Sequence, residues 1–340
     1  MNVGYQLRAG RVPAARHTGG MGTHVIAVVG ATATGKSGLG IDLARVLGGE
    51  VVNADSMQLY RGMDIGTAKE PEAAWQGVPH HLLDVWSVTR TANVADYQRL
   101  ARAAIEDITA RGLVPVLVGG SGLYVRAALD DLHFPGTDSG ARARLEDELD
   151  RQGAAALHAR LAALDPAAAA AILPSNGRRI VRALEVIEIS GCPFTAAMPG
   201  YEQVRPAVQL ALALSRPELD ERIAARVEHM WQAGFEAEVK GLVEQGLREG
   251  KTASRALGYQ QMLRHLDGEC TLDQAREETV KATRRFARRQ ESWFRRDPRV
   301  TWLGAGPKGA GRPERMLAEA LRQVAAQTGV SGQGGAARPR

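Results

Sequence analysis

Eight consecutive residues, Gly30, Ala31, Thr32, Ala33, Thr34, Gly35, Lys36 and Ser37, carry the clearest chemistry in the chain. They match the phosphate-binding spacing G-x-x-x-x-G-K-[ST] in full. The glycines let backbone N–H groups turn toward an anion. The helix expected next adds the partial positive charge of its N-terminus. Lys36 supplies a full positive charge, and Ser37 a hydroxyl able to ligate Mg²⁺. The motif leaves the phosphate compound open: a nucleotide to hydrolyse, a phosphoryl donor, or a phosphate held for another purpose.

Two further strand ends aim at the same place. Asp55, in "VVNADSMQLYRGMDIGTAK", closes a second strand, and the carboxyl ends of parallel strands line the ligand crevice of such sheets. A carboxylate there could bind Mg²⁺ or take a proton from a nucleophile; the plainer alternative is a turn or N-cap aspartate. Ser56, Gln58, Tyr60 and Arg61 add polar groups to that loop. Gly119-Gly120-Ser121-Gly122 ends a third strand. Its glycines allow close backbone approach, and Ser121 is an N-cap candidate; a simple strand-to-helix turn is the alternative. Asp84 could serve as the magnesium aspartate of an NTPase. His80 and His81 read as polar residues at a strand start, because neighbours on a strand point opposite ways.

Cations cluster toward the C-terminus. "KATRRFARRQESWFRRDPR" (281–299) holds eight Lys and Arg against Glu291 and Asp297, with Phe286, Trp293 and Phe294 interleaved. Arginines at that density, beside aromatics, suit phosphate contacts and base stacking. "NGRRIVRALEVIEISG" (176–191) sets Arg178, Arg179 and Arg182 around an apolar helix face, where Arg182 can pair with Glu185. Arg222 and Arg226, at i and i+4, could clamp a diphosphate or be ordinary surface charge.

The elements that must position these groups alternate. Strands are expected at 24–30, 50–56, 80–88, 114–119 and 208–215, the last closing the sheet, with helices after the first and over 94–112. The fold class is therefore α/β: a P-loop-type parallel sheet flanked by helices, with an all-helical insert and C-terminal helices. The expected organisation is a disordered extension over 1–22, a core over 23–135 and 200–328, a helical insert over 136–199, and a disordered tail over 329–340. The acid-free, arginine-bearing extension could be a transit peptide. The simpler reading starts translation at Met21.

Net charge is +5, mild enough that its clustering matters more than its size. Only Cys192 and Cys270 are present, which excludes a disulfide framework and a cysteine-rich zinc site and fits a reducing cytoplasm. No apolar stretch is long enough to span a bilayer.

Taken together, "GATATGKS", "NADSMQLYRGMDIGTAK", "VPHHLLDV", "LVGGSGLY", "RRIVRALEV", "RALGYQQM" and "TRRFARRQESWF" resemble the bacterial tRNA dimethylallyltransferases, in order, from about residue 24 to 303. The resemblance implies transfer of a dimethylallyl group from dimethylallyl diphosphate to N6 of adenosine 37 in the tRNA anticodon stem-loop, with Mg²⁺ as cofactor. The phosphate loop would then hold the diphosphate leaving group. Asp55 is implied as general base, with Ser121 and Lys36 as catalytic partners and Arg222 as the diphosphate arginine. Asp55, Ser56, Met57 and Gln58 would hold the flipped-out adenine. Implied tRNA contacts are Ser121, Arg142, Arg178, Arg179, Ile180, Val181, Arg182, Arg255, Gly258, Tyr259, Arg285, Arg288 and Arg289. The resemblance further implies a cytoplasmic monomer with no membrane partner. Alternatives on the same motifs are a P-loop kinase or NTPase and a prenyltransferase of free adenine nucleotides. Two positions depart from the pattern: Asn176 where Asp is usual, removing a carboxylate, and Ala31 where Pro is usual, loosening the turn.

Overall fold

The computed structural model describes residues 24–194, 200–304 and 312–329. The extension expected over 1–22, and the expected tail apart from Gly329, lie outside the described residues. In chain order the elements are β1 (Val25–Val29), α1 (Lys36–Leu47), β2 (Gly49–Asn53), β3 (His80–His81), α2 (Val94–Ala110), β4 (Val114–Gly119), α3 (Gly122–Leu129), α4 (Ser139–Leu164), α5 (Pro166–Ala171), α6 (Gly177–Ser190), β5 (Ala207–Ala213), α7 (Arg216–Gln232), α8 (Phe235–Glu244), α9 (Tyr259–Leu266), α10 (Leu272–Phe294), β6 (Val300–Gly304) and α11 (Arg312–Thr328).

All six strands are parallel and form one sheet in the order β3-β2-β4-β1-β5-β6. β1 and β4 are buried along their whole length, and β2 and β5 everywhere but at their ends, which is why they read as apolar runs. Ile26, Val28, Val116 and Val118 pack on one face with Leu39, Leu43 and Ala44 of α1 and Ala320 and Val324 of α11. The step from β1 through α1 to β2 and the return through α2 to β4 run in opposite directions across the sheet. Right-handed crossovers then put α1 and α2 on opposite faces.

This topology sets β2, β4 and β1 side by side. Their carboxyl ends are the Asp55 loop, the Gly120–Ser121 turn and the phosphate loop. Backbone geometry ties the first two together. Ala54 donates to Val118 O at 2.7 Å and Ser121 donates to Ala54 O at 3.3 Å. A Cβ on Gly119 would meet the Ala54 carbonyl at 2.2 Å, so only glycine permits the approach.

Two expectations about strands are corrected. The sheet does not end at 208–215: β6 lies outside β5 at its edge. Only Val300 and Leu303 of its five residues are fully buried, so it lacked the apolar run that marked the others. The third strand stops at His81, because Leu82 and Asp84 take φ values of 63° and 57°, which end the extended chain. His81 bonds Glu50 at 2.6 Å and His80 stacks on Trp75, so neither is drawn into a metal cluster.

Residues 131–202 form a second compact unit, against the insert expected over 136–199. It consists of α4, bent at Gly153, with α5 and α6 around Leu145, Leu157, Leu161, Ile172, Ile180, Val181 and Leu184. Asn176 caps α6 by accepting the Arg179 N–H at 3.2 Å. That is the task an aspartate performs at an N-cap, so the missing carboxylate costs the helix little.

Candidate functional site

The phosphate loop is shaped by its glycines. Gly30 and Gly35 take φ values of 121° and 100°, and Ala33 follows them into the left-handed region at 63°. The Ala31 carbonyl accepts both Thr34 Oγ1 at 2.9 Å and Lys36 Nζ at 2.7 Å. The Ala31 methyl packs with Leu219, Ile223 and Ala287. The turn expected to be loose at Ala31 is therefore pinned at both its carbonyl and its side chain.

Lys36 is the central cation. Burial of the ammonium, then the neighbouring Arg226 charge, bring its pKa down to about 8, against the pull of Asp55. Burial also lowers the pKa of Arg226, opposed by Asp55 and Glu70. Lys36, Arg226 and Asp55 thus form one electrostatic group across the loop. The two cations lie beside the phosphate loop, where they can meet an incoming polyanion.

The structure differs from sequence reasoning over the diphosphate arginine. Arg222 pairs with Glu218 at 3.2 Å along α7. Arg226, one turn later, donates to Thr32 Oγ1 at 2.7 Å. Helical geometry carries the cation at i+4 onto the loop and leaves the one at i beside its own acid.

Asp55 sits just beyond β2, locked on both sides. Its N–H donates to Asn53 Oδ1 at 2.9 Å, and its Oδ1 accepts the Met57 N–H at 3.0 Å. Oδ2 has no hydrogen bond among the described residues. Asn53 is held in turn by Asp55 O and Leu82 O, both at 3.0 Å. The carboxylate is thereby oriented with one oxygen spent and one open, the arrangement a general base needs. Ser121 Oγ accepts the Ser56 N–H at 3.1 Å and donates to Ser56 Oγ at 3.2 Å. The Tyr97 and Tyr124 rings lie 4.5 Å apart behind this loop. Burial raises both phenol pKa values, with Asp55 adding to the shift, so both remain neutral donors.

Gln290, which sequence reasoning passed over as one polar residue in an arginine run, joins the two halves. Its Oε1 accepts the Thr32 N–H at 2.9 Å and its Nε2 donates to Gly120 O at 2.8 Å. The side chain is 5% exposed. A Cβ on Gly120 would lie 2.2 Å from Gln290 Nε2, and one on Gly122 2.2 Å from the Trp293 ring. The glycines of "GGSG" make room for α10 as much as for a ligand. That pairing was the available signal, and it needed the fold to be seen.

The cation-rich segment of α10 divides by partner. Arg295 bonds Glu291 at 2.9 Å. Arg299 bonds Asp297 and the buried Asp130, each at 2.6 Å. Arg284 donates to Asp220 O at 3.3 Å. Arg285 and Arg288 are exposed without an ion pair among the described residues, and Arg289 lies over the Phe286 ring at 5.8 Å. Positions i, i+3 and i+4 share a helix face, so these three form one open basic stripe. Arg255 is exposed as well.

Several of the residues implied as tRNA contacts have partners inside the protein. Tyr259 is fully buried, with Gly258 buried beside it, and the phenol donates to Glu238 at 2.6 Å. Ile180 and Val181 are core residues of the helical unit, 0% and 3% exposed. Arg142 and Arg182 converge on the buried Glu185, Arg182 at 2.8 Å. Burial works against the charge of Glu185, but the two guanidiniums override it and hold the carboxyl below its usual range. Arg178 and Arg179 remain on the exposed side of α6. Asp84 accepts Lys69 Nζ at 2.6 Å and carries a loop brace instead of an open metal position.

Among the described residues no cluster of three His, Cys, Asp or Glu could hold a metal ion. The one fitting feature is the Ser37 hydroxyl, at the start of α1 and without a hydrogen bond among the described residues. A single protein oxygen completed by diphosphate oxygens and water is an ordinary Mg²⁺ ligand set.

Comparisons with known proteins point to one family. The family model described as IPP transferase matches residues 58–297. A tRNA dimethylallyltransferase of Streptomyces coelicolor is 70% identical over 83% of this chain and 90% of its own. The full-length tRNA isopentenylpyrophosphate transferase of Bacillus halodurans superposes with a TM-score of 0.65 at 38% identity, covering 90% of this chain and 98% of that one. A eukaryotic dimethylallyltransferase solved acting on tRNA gives a TM-score of 0.77 at 25% identity, covering 90% and 80%.

Proposed function

The chain belongs to the IPP transferase family, and from that premise we propose that it transfers a dimethylallyl group from dimethylallyl diphosphate to N6 of adenosine 37 in tRNA. The observation that carries this reading is the electrostatic grouping of Asp55, just after β2, with Lys36, just after β1, and Arg226 of α7. A leaving-group site and a base face each other across one crevice.

The electron flow follows. The adenine N6 attacks the allylic carbon, the C–O bond to diphosphate breaks, and the electron pair leaves with the diphosphate. The N6 proton passes to the open Oδ2 of Asp55. Lys36, Arg226 and the loop N–H groups stabilise the charge that grows on the departing oxygens, and such interactions accelerate a reaction because they strengthen in the transition state. Ser37 would hold Mg²⁺, which when bound neutralises diphosphate charge. Ser121 and Ser56 hold the acceptor side of the crevice to the strand that carries Asp55. An adenine inside an RNA loop must leave its stack to reach that carboxylate. The Arg285, Arg288 and Arg289 stripe and the exposed Arg178, Arg179 and Arg255 supply phosphate contacts for the anticodon stem-loop. We place the reaction in the cytoplasm; no described helix is long and apolar enough to cross a membrane.

The test is a transfer assay with Mg²⁺, labelled dimethylallyl diphosphate and unmodified tRNA, with AMP as acceptor and ATP hydrolysis followed in parallel reactions. Label in tRNA alone is expected. Label in AMP would reassign the chain to free-nucleotide prenylation, and ATP hydrolysis without transfer would reassign it to the NTPases.

A further inference from the structure

Outside the reacting centre, one carboxylate takes four donors. Glu238, in α8, accepts the backbone N–H groups of Asp64 at 3.0 Å, Ile65 at 2.6 Å and Gly66 at 3.1 Å, and the Tyr259 hydroxyl at 2.6 Å. Three successive N–H groups turned toward one anion make the concave cradle that loops otherwise use for external phosphates. Here the anion belongs to the chain. Gly66 is required for the closure, since a Cβ there would meet Phe235 at 2.3 Å and Tyr259 at 2.5 Å.

The cradle lies in the segment "MDIGTAK", directly after the loop proposed to hold the adenine. Its far side reaches back to that loop. Gln58 Nε2 donates to Thr67 O at 3.2 Å and is within 3.4 Å of Ala68 O. Thr67 Oγ1 donates to Met63 O at 2.6 Å, and Lys69 Nζ bonds Tyr60 O at 3.1 Å. The Gln58 side-chain amide therefore ends on Thr67 and Ala68, the residues directly after the turn whose N–H groups are held by Glu238.

We propose that Glu238 is a positioning residue for the acceptor base, fixing the Asp64–Gly66 turn and, through Thr67, the side chain of Gln58. The proposal rests on the reading that Asp55 to Gln58 hold the adenine. It also gives Tyr259 a task other than RNA contact: the phenol supplies the fourth donor that orients the Glu238 carboxylate.

The experiment uses the full chain in the labelled transfer assay, with Glu238→Gln, Gln58→Ala and the double variant. Glu238→Gln replaces one acceptor oxygen by an amide that cannot accept. It is expected to lower kcat/KM for tRNA roughly tenfold, the scale of one charge-assisted hydrogen bond. The affinity for inorganic diphosphate, measured without RNA, is expected to stay at the wild-type value, because the phosphate loop makes none of these bonds. In the Gln58→Ala background the Glu238→Gln loss is expected to vanish, since residues acting along one chain are non-additive. An unchanged kcat/KM, a parallel loss of diphosphate affinity, or full additivity with Gln58→Ala would each overturn the proposal. If Glu238→Gln fails to fold, Tyr259→Phe removes one of the four donors and tests the same non-additivity, with a smaller loss expected. Absence of transfer by the wild-type chain would instead refute the prenyltransferase reading.

Discussion

Replacing Gln290 by Leu removes two buried hydrogen bonds at once and leaves their partners behind. Thr32 N–H and Gly120 C=O have no alternative acceptor or donor among the described residues. An unsatisfied buried polar group costs about 1–3 kcal/mol, so the variant should lose roughly 2–6 kcal/mol if the fold stays rigid, by that same range taken twice. Relaxation of the loops would recover part of this and transfer the cost to catalysis. Thr32 also receives Arg226, and the residue after Gly120 holds Ser56. Movement of either loop therefore changes the distance between leaving group and acceptor, and a displacement near 1 Å can cost about a hundredfold in rate. Gln290→Glu separates the two bonds. It still accepts from Thr32, but sets a carboxylate oxygen about where an amide now donates at 2.8 Å to Gly120 O. Urea denaturation should show both variants destabilised, and single-turnover transfer should show both slowed by at least about tenfold, with Gln290→Glu the slower because its charge opposes the diphosphate. Wild-type stability with a wild-type single-turnover rate would refute the bridging role. Lost stability with an unchanged rate would reduce Gln290 to a packing residue.

Asp55→Ala should abolish transfer while tRNA affinity, measured by filter binding, stays within a few-fold; lost affinity with retained turnover would remove the base assignment. Converting Arg285, Arg288 and Arg289 together to Ala should weaken tRNA binding and reduce the slope of log K against log salt by roughly one for each phosphate that the stripe no longer neutralises. An unchanged slope would make the stripe a solubility feature. The Lys36 pKa of about 8 has a definite sign. The free loop gives up its proton as pH passes that value, whereas a bound diphosphate favours the charged form, so diphosphate affinity should fall above about pH 8. Lys36→Arg should flatten the profile, because arginine stays charged throughout. Flat wild-type affinity between pH 7 and 9.5 would contradict the environment described for Lys36.

What the sequence made legible follows from the range of the forces involved. The phosphate loop, Asp55 and Ser121 were visible because local turn chemistry and strand ends are encoded within a few residues. The central strands were visible because burial on both faces leaves an unbroken apolar run. β6 was not, because an edge strand with two buried residues carries no such run. The same limit explains the arginines. Spacing placed Arg222 and Arg226 on one helical face, but only the packing of α7 shows which meets Thr32 and which meets Glu218. Arg142 and Arg182 read as cations available to RNA, and Glu185, buried between them, claims both. Gln290 and Glu238 act on backbone atoms far away in sequence, at separations of 258 and 173 residues, and nothing local marks either one.

The central claim is that the phosphate loop holds a leaving diphosphate while Asp55 faces the acceptor. The most direct measurement is stoichiometry: inorganic diphosphate released against dimethylallyl groups found in tRNA, with no nucleoside triphosphate present. The account predicts one diphosphate per transferred group and no transfer by Asp55→Ala. A requirement for ATP, or release of orthophosphate in place of diphosphate, would contradict it and return the loop to nucleotide hydrolysis.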